Sequence, residues 1–205
     1  MKPEDHIIVI GRQYGSGGRQ LGKLLSRRLG IPYYDKELLR EAADKLGFRA
    51  DLFEQADEKR PSRLMSMVGA NYGASTYFTS GALNGGTLYQ MQSDVIRNLL
   101  EKGPCVIVGR TADYIGRDLP NLISLFLHAD KEVRARRTLE RNPRMKAEDA
   151  ALWLDRQDTA RSDYYNYYTG RKWGSADNYD FCINTSRLTP EQTCEIVELL
   201  LKYRC

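Results

Sequence analysis

No feature of the chain constrains its fold as tightly as the run His6-Ile7-Ile8-Val9-Ile10-Gly11-Arg12-Gln13-Tyr14-Gly15-Ser16-Gly17-Gly18-Arg19-Gln20-Leu21. A stretch rich in β-branched side chains leads into a glycine-rich turn and then into an apolar-periodic segment. That order describes a buried strand, a tight loop and a helix start. Glycines let backbone N–H groups converge on one point, and the helix that follows adds the positive end of its dipole, equivalent to about +0.5 charge. Such a concavity binds anions, most often phosphate. The run therefore reads as a phosphate-binding loop in a protein that handles nucleotides. The alternative is a glycine-rich strand-to-helix turn of a dinucleotide-binding fold, or one that holds no ligand.

The loop departs from the lysine-bearing pattern of Gly, four residues, then Gly-Lys-Ser/Thr. With Gly17 as the last glycine, Arg12 stands at the first glycine position, Gly18 at the lysine and Arg19 at the hydroxyl. A guanidinium supplies positive charge, and charge-assisted bonds are worth about 1.5–3 kcal/mol. It does not copy lysine's compact point charge. A dinucleotide loop would want Gly-x-Gly-x-x-Gly and an acid about twenty residues on. Gly15-x-Gly17 is followed by Gln20 instead of a third glycine, and Asp35 is the only acid near that distance.

At 205 residues the chain is long enough for one sizeable domain, burying about 70% of its unfolded surface. The net charge of +4 is modest and the two signs alternate along much of the chain. This describes a folded surface that attracts small anionic substrates, with neither nucleic acid nor membrane as a partner. No apolar run reaches membrane-spanning length, and Met1-Lys2-Pro3-Glu4-Asp5 lacks a signal peptide's apolar core. Cys105, Cys182, Cys194 and Cys205 are widely spaced. Cys105 and Cys182 fall in predicted buried strands, where a thiol acts as a small hydrophobe. Reduced thiols and a cytoplasmic location are the expectation, with no disulfide framework and no metal site.

Further along, Leu21, Leu24, Leu25 and Leu29 recur at helical spacing until Gly30 and Pro32 stop the helix. Ile31-Pro32-Tyr33-Tyr34-Asp35 reads as a short strand ending in a carboxylate. Ligands of open α/β sheets gather at such ends, so Asp35 is a site candidate as well as a candidate N-cap for a helix over 36–46. Asp51-Leu52-Phe53-Glu54 has the form of a capping box. Periodicity fades from Pro61 to Thr87, a glycine- and aromatic-containing stretch that reads as a substrate-facing segment. Leu88 to Lys102 is a predicted helix. Cys105 to Arg110 and Leu122 to His128 are predicted strands, and Asp130 is expected to cap the helix after them. Ala147 to Tyr167 reads as another helix and Tyr179 to Asn184 as a last strand. Thr189-Pro190-Glu191-Gln192 combines a capping box with proline at the first helical position. Short apolar strands alternating with helices describe a parallel sheet covered on both faces.

Arg134, Arg137 and Arg141 recur at steps of three and four, so they share a helix face, with Arg136 and Arg144 beside them. A solvated basic face is one reading. Arginine's planar fork and the preceding predicted strand favour another, a face above a phosphate site. Phosphoryl transfer depends on this kind of neutralisation. Asp158 and Arg161 lie one turn apart, either as an intrahelical ion pair worth a few tenths of a kcal/mol or as a clamp on a base edge or ribose.

Five pieces in order resemble the cytidylate kinase-like family, relatives of bacterial cytidylate kinases within the P-loop nucleoside monophosphate kinases. They are Gly11 to Arg19, Val106-Ile107-Val108-Gly109-Arg110, Ala129 to Arg137, Asp158-x-x-Arg161-x-x-Tyr164-Tyr165, and Tyr179 to Ser186. The likeness runs from His6 to about Tyr203. It implies an α/β, three-layer α/β/α P-loop kinase fold with a parallel sheet, as a single domain over 1–205. An irregular acceptor-binding region would lie at about 47–102, and an arginine-bearing lid with flanking helices at about 130–170.

By that resemblance, ATP with Mg²⁺ would be the donor, its phosphates held by Arg12, Gly15, Ser16, Gly17, Gly18, Arg19 and Gln20. Asp35, Arg110, Asp158 and Arg161 would bind the acceptor, a CMP-like nucleoside monophosphate or a related small phosphate acceptor. Arg134 and Arg137 would sit over the transferring phosphoryl group, with Arg19 (or Arg12) in the missing lysine's place. Cytidylate kinases carry Gly-Lys-Gly-Thr where this chain has Gly17-Gly18-Arg19-Gln20. They carry Asp on both sides of the Gly-Arg, where Val108 and Thr111 stand here, and Asp-Ser-Gly in place of Asp35-Lys36-Glu37. These departures leave a second reading, a kinase-fold module that binds a nucleotide or phosphorylated ligand without transferring phosphate.

Overall fold

Parallel strands buried on both faces need apolar side chains at every position, and Ile7-Ile8-Val9-Ile10 meets that demand. A computed structural model describes residues 2–45 and 85–203. In it β1 (Ile7–Arg12) occupies the middle of a five-stranded sheet ordered β2-β3-β1-β4-β5, with every pairing parallel. The other strands are β2 (Tyr33–Tyr34), β3 (Val106–Val108), β4 (Leu122–His128) and β5 (Phe181–Asn184). The helices are α1 (Gly18–Leu29), α2 (Lys36–Lys45), α3 (Gly85–Glu101), α4 (Ala112–Ile115), α5 (Lys131–Arg141), α6 (Ala147–Thr169) and α7 (Pro190–Tyr203).

The period-two alternation of β1 divides the core into two layers. Ile7 and Val9 face Leu39 of α2, Val95, Ile96, Leu99 and Leu100 of α3, and Ala112 of α4. Ile8 and Ile10 face Leu21 and Leu25 of α1 and Cys194, Val197 and Leu201 of α7. Ile8 and Ile10 are fully buried, so truncating either to alanine costs about 2–5 kcal/mol. This is the three-layer α/β/α arrangement expected from the sequence, and it fixes the end of β1 in place. No helix among the described residues is long and apolar enough to cross a membrane.

Local stop and start signals appear where the chain writes them. Gly30 ends α1 in the left-handed region, its N–H bonded to Ser26 O. At α7, Thr189 N–H donates to Gln192 Oε1 at 2.9 Å and Gln192 N–H to Thr189 Oγ1 at 3.1 Å, a reciprocal capping box.

Three expectations need correction. Residues 85–87, read as irregular, form the first turn of α3. Asp130 makes no side-chain cap; instead its N–H donates to Ser186 Oγ. Cys182 is exposed, because β5 is an edge strand whose residues alternate toward solvent, while Cys105 is buried and its thiol pushed up to about 12 by that burial. The one-turn helix α4 was too short to show a period. The predicted capping box at Asp51–Glu54 and residues 61–84 of the irregular stretch lie outside the described residues.

Candidate functional site

The chain leaves β1 toward β2 on one side and passes from β4 to β5 on the other, which opens a crevice beyond the carboxyl ends of β1 and β4. The loop after β1 lies there and is stitched to its surroundings. Gln13 N–H donates to Leu127 O (2.9 Å), and its Oε1 accepts Ala129 N–H (3.2 Å). Ser16 Oγ donates back to Gln13 O (2.9 Å), and buried Thr185 Oγ1 donates to Ser16 O (2.8 Å). Gly15, at φ 79°, packs on α5 so closely that a Cβ there would lie 2.8 Å from Arg134 O. Gly17, at φ 92°, caps α1 without any side-chain hydrogen bond. The amides of the first turn, Gly18 to Gln20, have no intrahelical acceptor. They open on a cleft of about 500 Å³ lined by Arg12, Arg19, Asp35, Arg141, Trp153 and Arg161, among others.

The sequence-predicted cations fall into two sets. Arg12, Arg110 and Arg161 come together around a narrow gap beside Gly11 and Gly109, at the ends of β1 and β3. Gly109, Arg110 and Thr111 are all left-handed, at φ 85°, 64° and 54°. Each non-glycine residue there costs about 1–2 kcal/mol, and backbone strain of this kind concentrates at functional sites. Thr111 Oγ1, which hydrogen-bonds Tyr89 OH at 3.1 Å, helps hold the turn. Buried Asp113 closes the far side: Tyr165 OH donates to it at 2.7 Å, and burial pushes its carboxyl up to about 6.

The second set is committed elsewhere. Arg134 is buried, with Nη1 2.6 Å from Asp158 Oδ2 and 3.1 Å from Tyr14 O, and Nε 3.0 Å from Ala129 O. Asp158 Oδ1 accepts Tyr14 N–H at 2.7 Å. Neither side chain lines the cleft. The resemblance would put Arg134 over a phosphoryl group and Asp158 on the acceptor; in the structure they pair with each other and clasp the loop backbone at Tyr14. Two opposite charges so far from water require that pairing. The expected contact between Asp158 and Arg161 is present only at 3.7 Å, and the Arg161 guanidinium also lies over the Tyr14 ring at 5.3 Å.

Arg137, likewise expected over the transferring group, donates to Thr185 Oγ1 (3.2 Å), Thr185 O (2.8 Å) and Leu188 O (3.3 Å). Burial first, then neighbouring Arg141 and Arg136, lower its pKa. It walls a second cavity of about 270 Å³ on the other flank of the loop, with Ser16, Gln20, Leu188 and Pro190. Arg19 is about half exposed and turned to α2, its Nε 3.2 Å from Asp35 Oδ2 and its Nη2 3.4 Å from Glu37 Oε1. Asp35 also accepts Tyr33 OH (3.0 Å) and the amides of Glu37 and Leu38 (3.2 and 3.3 Å), so it caps α2 as its position allows.

Gln13, Thr185, Asp113 and Trp153 were not singled out from the sequence as site residues. Trp153 offered the clearest signal, a large aromatic left partly exposed on α6, where it meets Tyr14 edge-on at 6.4 Å.

Magnesium, implied by the resemblance alongside ATP, meets a poor set of protein donors. Among the described residues no three His, Cys, Asp or Glu side chains converge. Ser16 Oγ is turned back on Gln13 O, and the oxygens of Asp35 and Asp158 hold cations and amides. The residues present do not fit a metal held chiefly by the protein.

A model of the cytidylate kinase-like family matches residues 7–187. A cytidylate kinase from Sulfurisphaera tokodaii is 24% identical over 200 residues, 96% of each chain. An uncharacterized protein from Eubacterium ventriosum has a crystal structure that superposes with a TM-score of 0.72 at 28% identity, covering 97% of this chain and 99% of that one. The fold is also that of a shikimate kinase from Bacteroides thetaiotaomicron, with a TM-score of 0.54 at 15% identity over 96% and 98% of the two chains.

Proposed function

Because the chain belongs to the cytidylate kinase-like family, for which phosphoryl transfer is the general class of chemistry, we propose that it transfers a phosphoryl group from ATP to a nucleoside monophosphate, CMP-like, or to a related small phosphate acceptor. The observation that carries this reading is the open first turn of α1, whose amides face a cleft walled by Arg12, Arg19, Arg141 and Arg161. Donor phosphates sit on the amides from Gly15 to Gln20. The adenine fits the cavity between Arg137 and the turn at Leu188 and Pro190, which lies on the flank of the loop away from the arginine gap. The acceptor phosphate meets Arg110, just past β3, and Arg161, from the middle of α6. Magnesium would come with ATP and add to the charge neutralisation; the carboxylates of Asp35 and Asp158, already holding cations and amides, are assigned no part in binding it.

In-line transfer asks little covalent chemistry of the protein. The loop amides and the flanking guanidiniums orient the two phosphates and neutralise the charge that spreads over the equatorial oxygens. Arg134 and Asp158 act on this indirectly, as positioning residues that hold Tyr14 and therefore the loop. The test is release of ADP from ATP and Mg²⁺ with a panel of acceptors: CMP, the other nucleoside monophosphates and small phosphate esters. Acceptor-dependent release is expected. ATP binding without release from any acceptor would instead support a nucleotide-holding module. The observations that favour this second reading are the absence of lysine at Gly18 and the back-turned Ser16 hydroxyl.

A further inference from the structure

We propose that Arg12 is the donor-phosphate cation of the loop, and that its side chain occupies, by exchange, the space that the side chain of residue 18 fills in a lysine-bearing loop. The inference rests on the phosphoryl-transfer reading and names the residue that makes up for the missing lysine.

The evidence is a pair of close approaches. A Cβ on Gly18 would lie 2.9 Å from Arg12 Cγ and 3.0 Å from Arg12 Cβ. The arginine stem therefore crosses the face of α1's first residue, and any side chain at position 18 has to displace it. At its far end the guanidinium rests on Gly109, where a Cβ would collide with Nη1 and lie 2.8 Å from Cζ. Two glycines from different parts of the chain thus form the bed of one arginine. That bed delivers the charge between the cleft in front of the loop and the gap shared with Arg110 and Arg161, both of which Arg12 lines.

The neighbouring cations are less well placed. Arg19 leans toward α2, its Nε 3.2 Å from Asp35 Oδ2. Arg141 is exposed and donates to Gln20 Oε1 at 2.7 Å. Arg12 leaves from the strand where lysine would leave from the helix, and its planar fork can engage two phosphate oxygens at once. In the linear pattern Arg12 at the glycine and Gly18 at the lysine look like two separate losses. In space they are one trade.

The experiment is calorimetric ATP titration, with thermal melting as the folding control, on the full chain and on R12M, R12G, G18K and R12G/G18K. R12M keeps the stem and removes the charge; it should melt near the parent and bind ATP at least about tenfold more weakly. G18K should weaken ATP binding while Arg12 is present, and should restore binding to within about threefold of the parent once Arg12 is glycine. Parent-like ATP affinity in folded R12M overturns the inference and leaves the phosphoryl-transfer reading standing. An R12G/G18K chain that binds no better than R12G overturns the exchange. A folded parent that binds neither ATP nor inorganic tripolyphosphate overturns the functional reading, and the inference falls with it.

Discussion

Arginine 134 provides the sharpest test of how this site is built, since its two possible roles predict opposite effects on the ligand-free protein. An arginine held ready for a phosphoryl group contributes nothing to stability before ligand arrives, and removing it often stabilises. An arginine sewn into the scaffold behaves otherwise. In the structure the Arg134 side chain is 7% exposed and its partner Asp158 17%, with 2.6 Å between Nη1 and Oδ2. Replacing Arg134 with methionine keeps the stem and removes the fork. It leaves Asp158 without its nearest cation and deprives Tyr14 O and Ala129 O of a donor.

Breaking a buried pair from one side costs about 3–5 kcal/mol. The low end applies, because Arg161 stays 3.7 Å from Asp158 Oδ1 and Tyr14 N–H still donates to that oxygen. About 3 kcal/mol lowers the melting temperature of a chain this size by roughly 6–12 °C. Asp158→Asn retains an acceptor for Tyr14 N–H and should cost about 2 kcal/mol. The double variant removes both charges and should fall short of the sum by at least about 1 kcal/mol. Urea denaturation at a common slope reads all four corners of the cycle. A loss below about 0.5 kcal/mol for Arg134→Met, or strict additivity, would refute the clasp and return Arg134 to the role over the phosphoryl group. Activity alone does not decide, because a slackened loop also slows turnover.

Gly15→Ala sets a Cβ against backbone, 2.8 Å from Arg134 O, at φ 79°, whereas Gly30→Ala at φ 68° meets nothing within 4 Å. The second should cost only the left-handed penalty of about 1 kcal/mol and the first at least about 2; equal losses in denaturant melts would mean that the loop does not rest on α5. Asp113 supplies a pH test. Its carboxyl is raised from 3.8 to about 6 by burial, so between those values the folded chain binds more protons than the unfolded one, and stability falls as pH rises through that window. Asp113→Asn should flatten that part of the melting profile between about pH 4 and 6, a difference of up to about 3 kcal/mol; parallel profiles for parent and variant would sink the assignment.

What the sequence makes legible follows from the range of the interaction. The strand, loop and helix around Gly15, the stop at Gly30 and the box at Thr189 are decided by neighbours within a turn, and each stands in the structure as read. The arginines of α5 show the opposite case. Their spacing correctly puts them on one face, yet that face meets three different partners, so Arg134 goes to Asp158, Arg137 to Thr185 and Leu188, and Arg141 to Gln20. No periodicity distinguishes a guanidinium awaiting a phosphate from one already bonded to a carboxylate 24 residues away. The left-handed run at Gly109-Arg110-Thr111 was hidden for a related reason, since only one of the three residues is of a type that announces the conformation.

The loop carries this argument furthest. A pattern scores positions singly, so glycine at 18 counts against a phosphate site and arginine at 12 adds nothing for it. Packing couples the two, because the stem of one fills the volume the other vacates, and the guanidinium's far end demands a second glycine in β3's turn, at 109. A chain with this loop that kept Arg12 while gaining a side chain at 18 or 109 would be sterically inconsistent. Neither 18 nor 109 can therefore gain a side chain unless Arg12 moves or is replaced, which is a property of the folded site that none of the three positions displays alone.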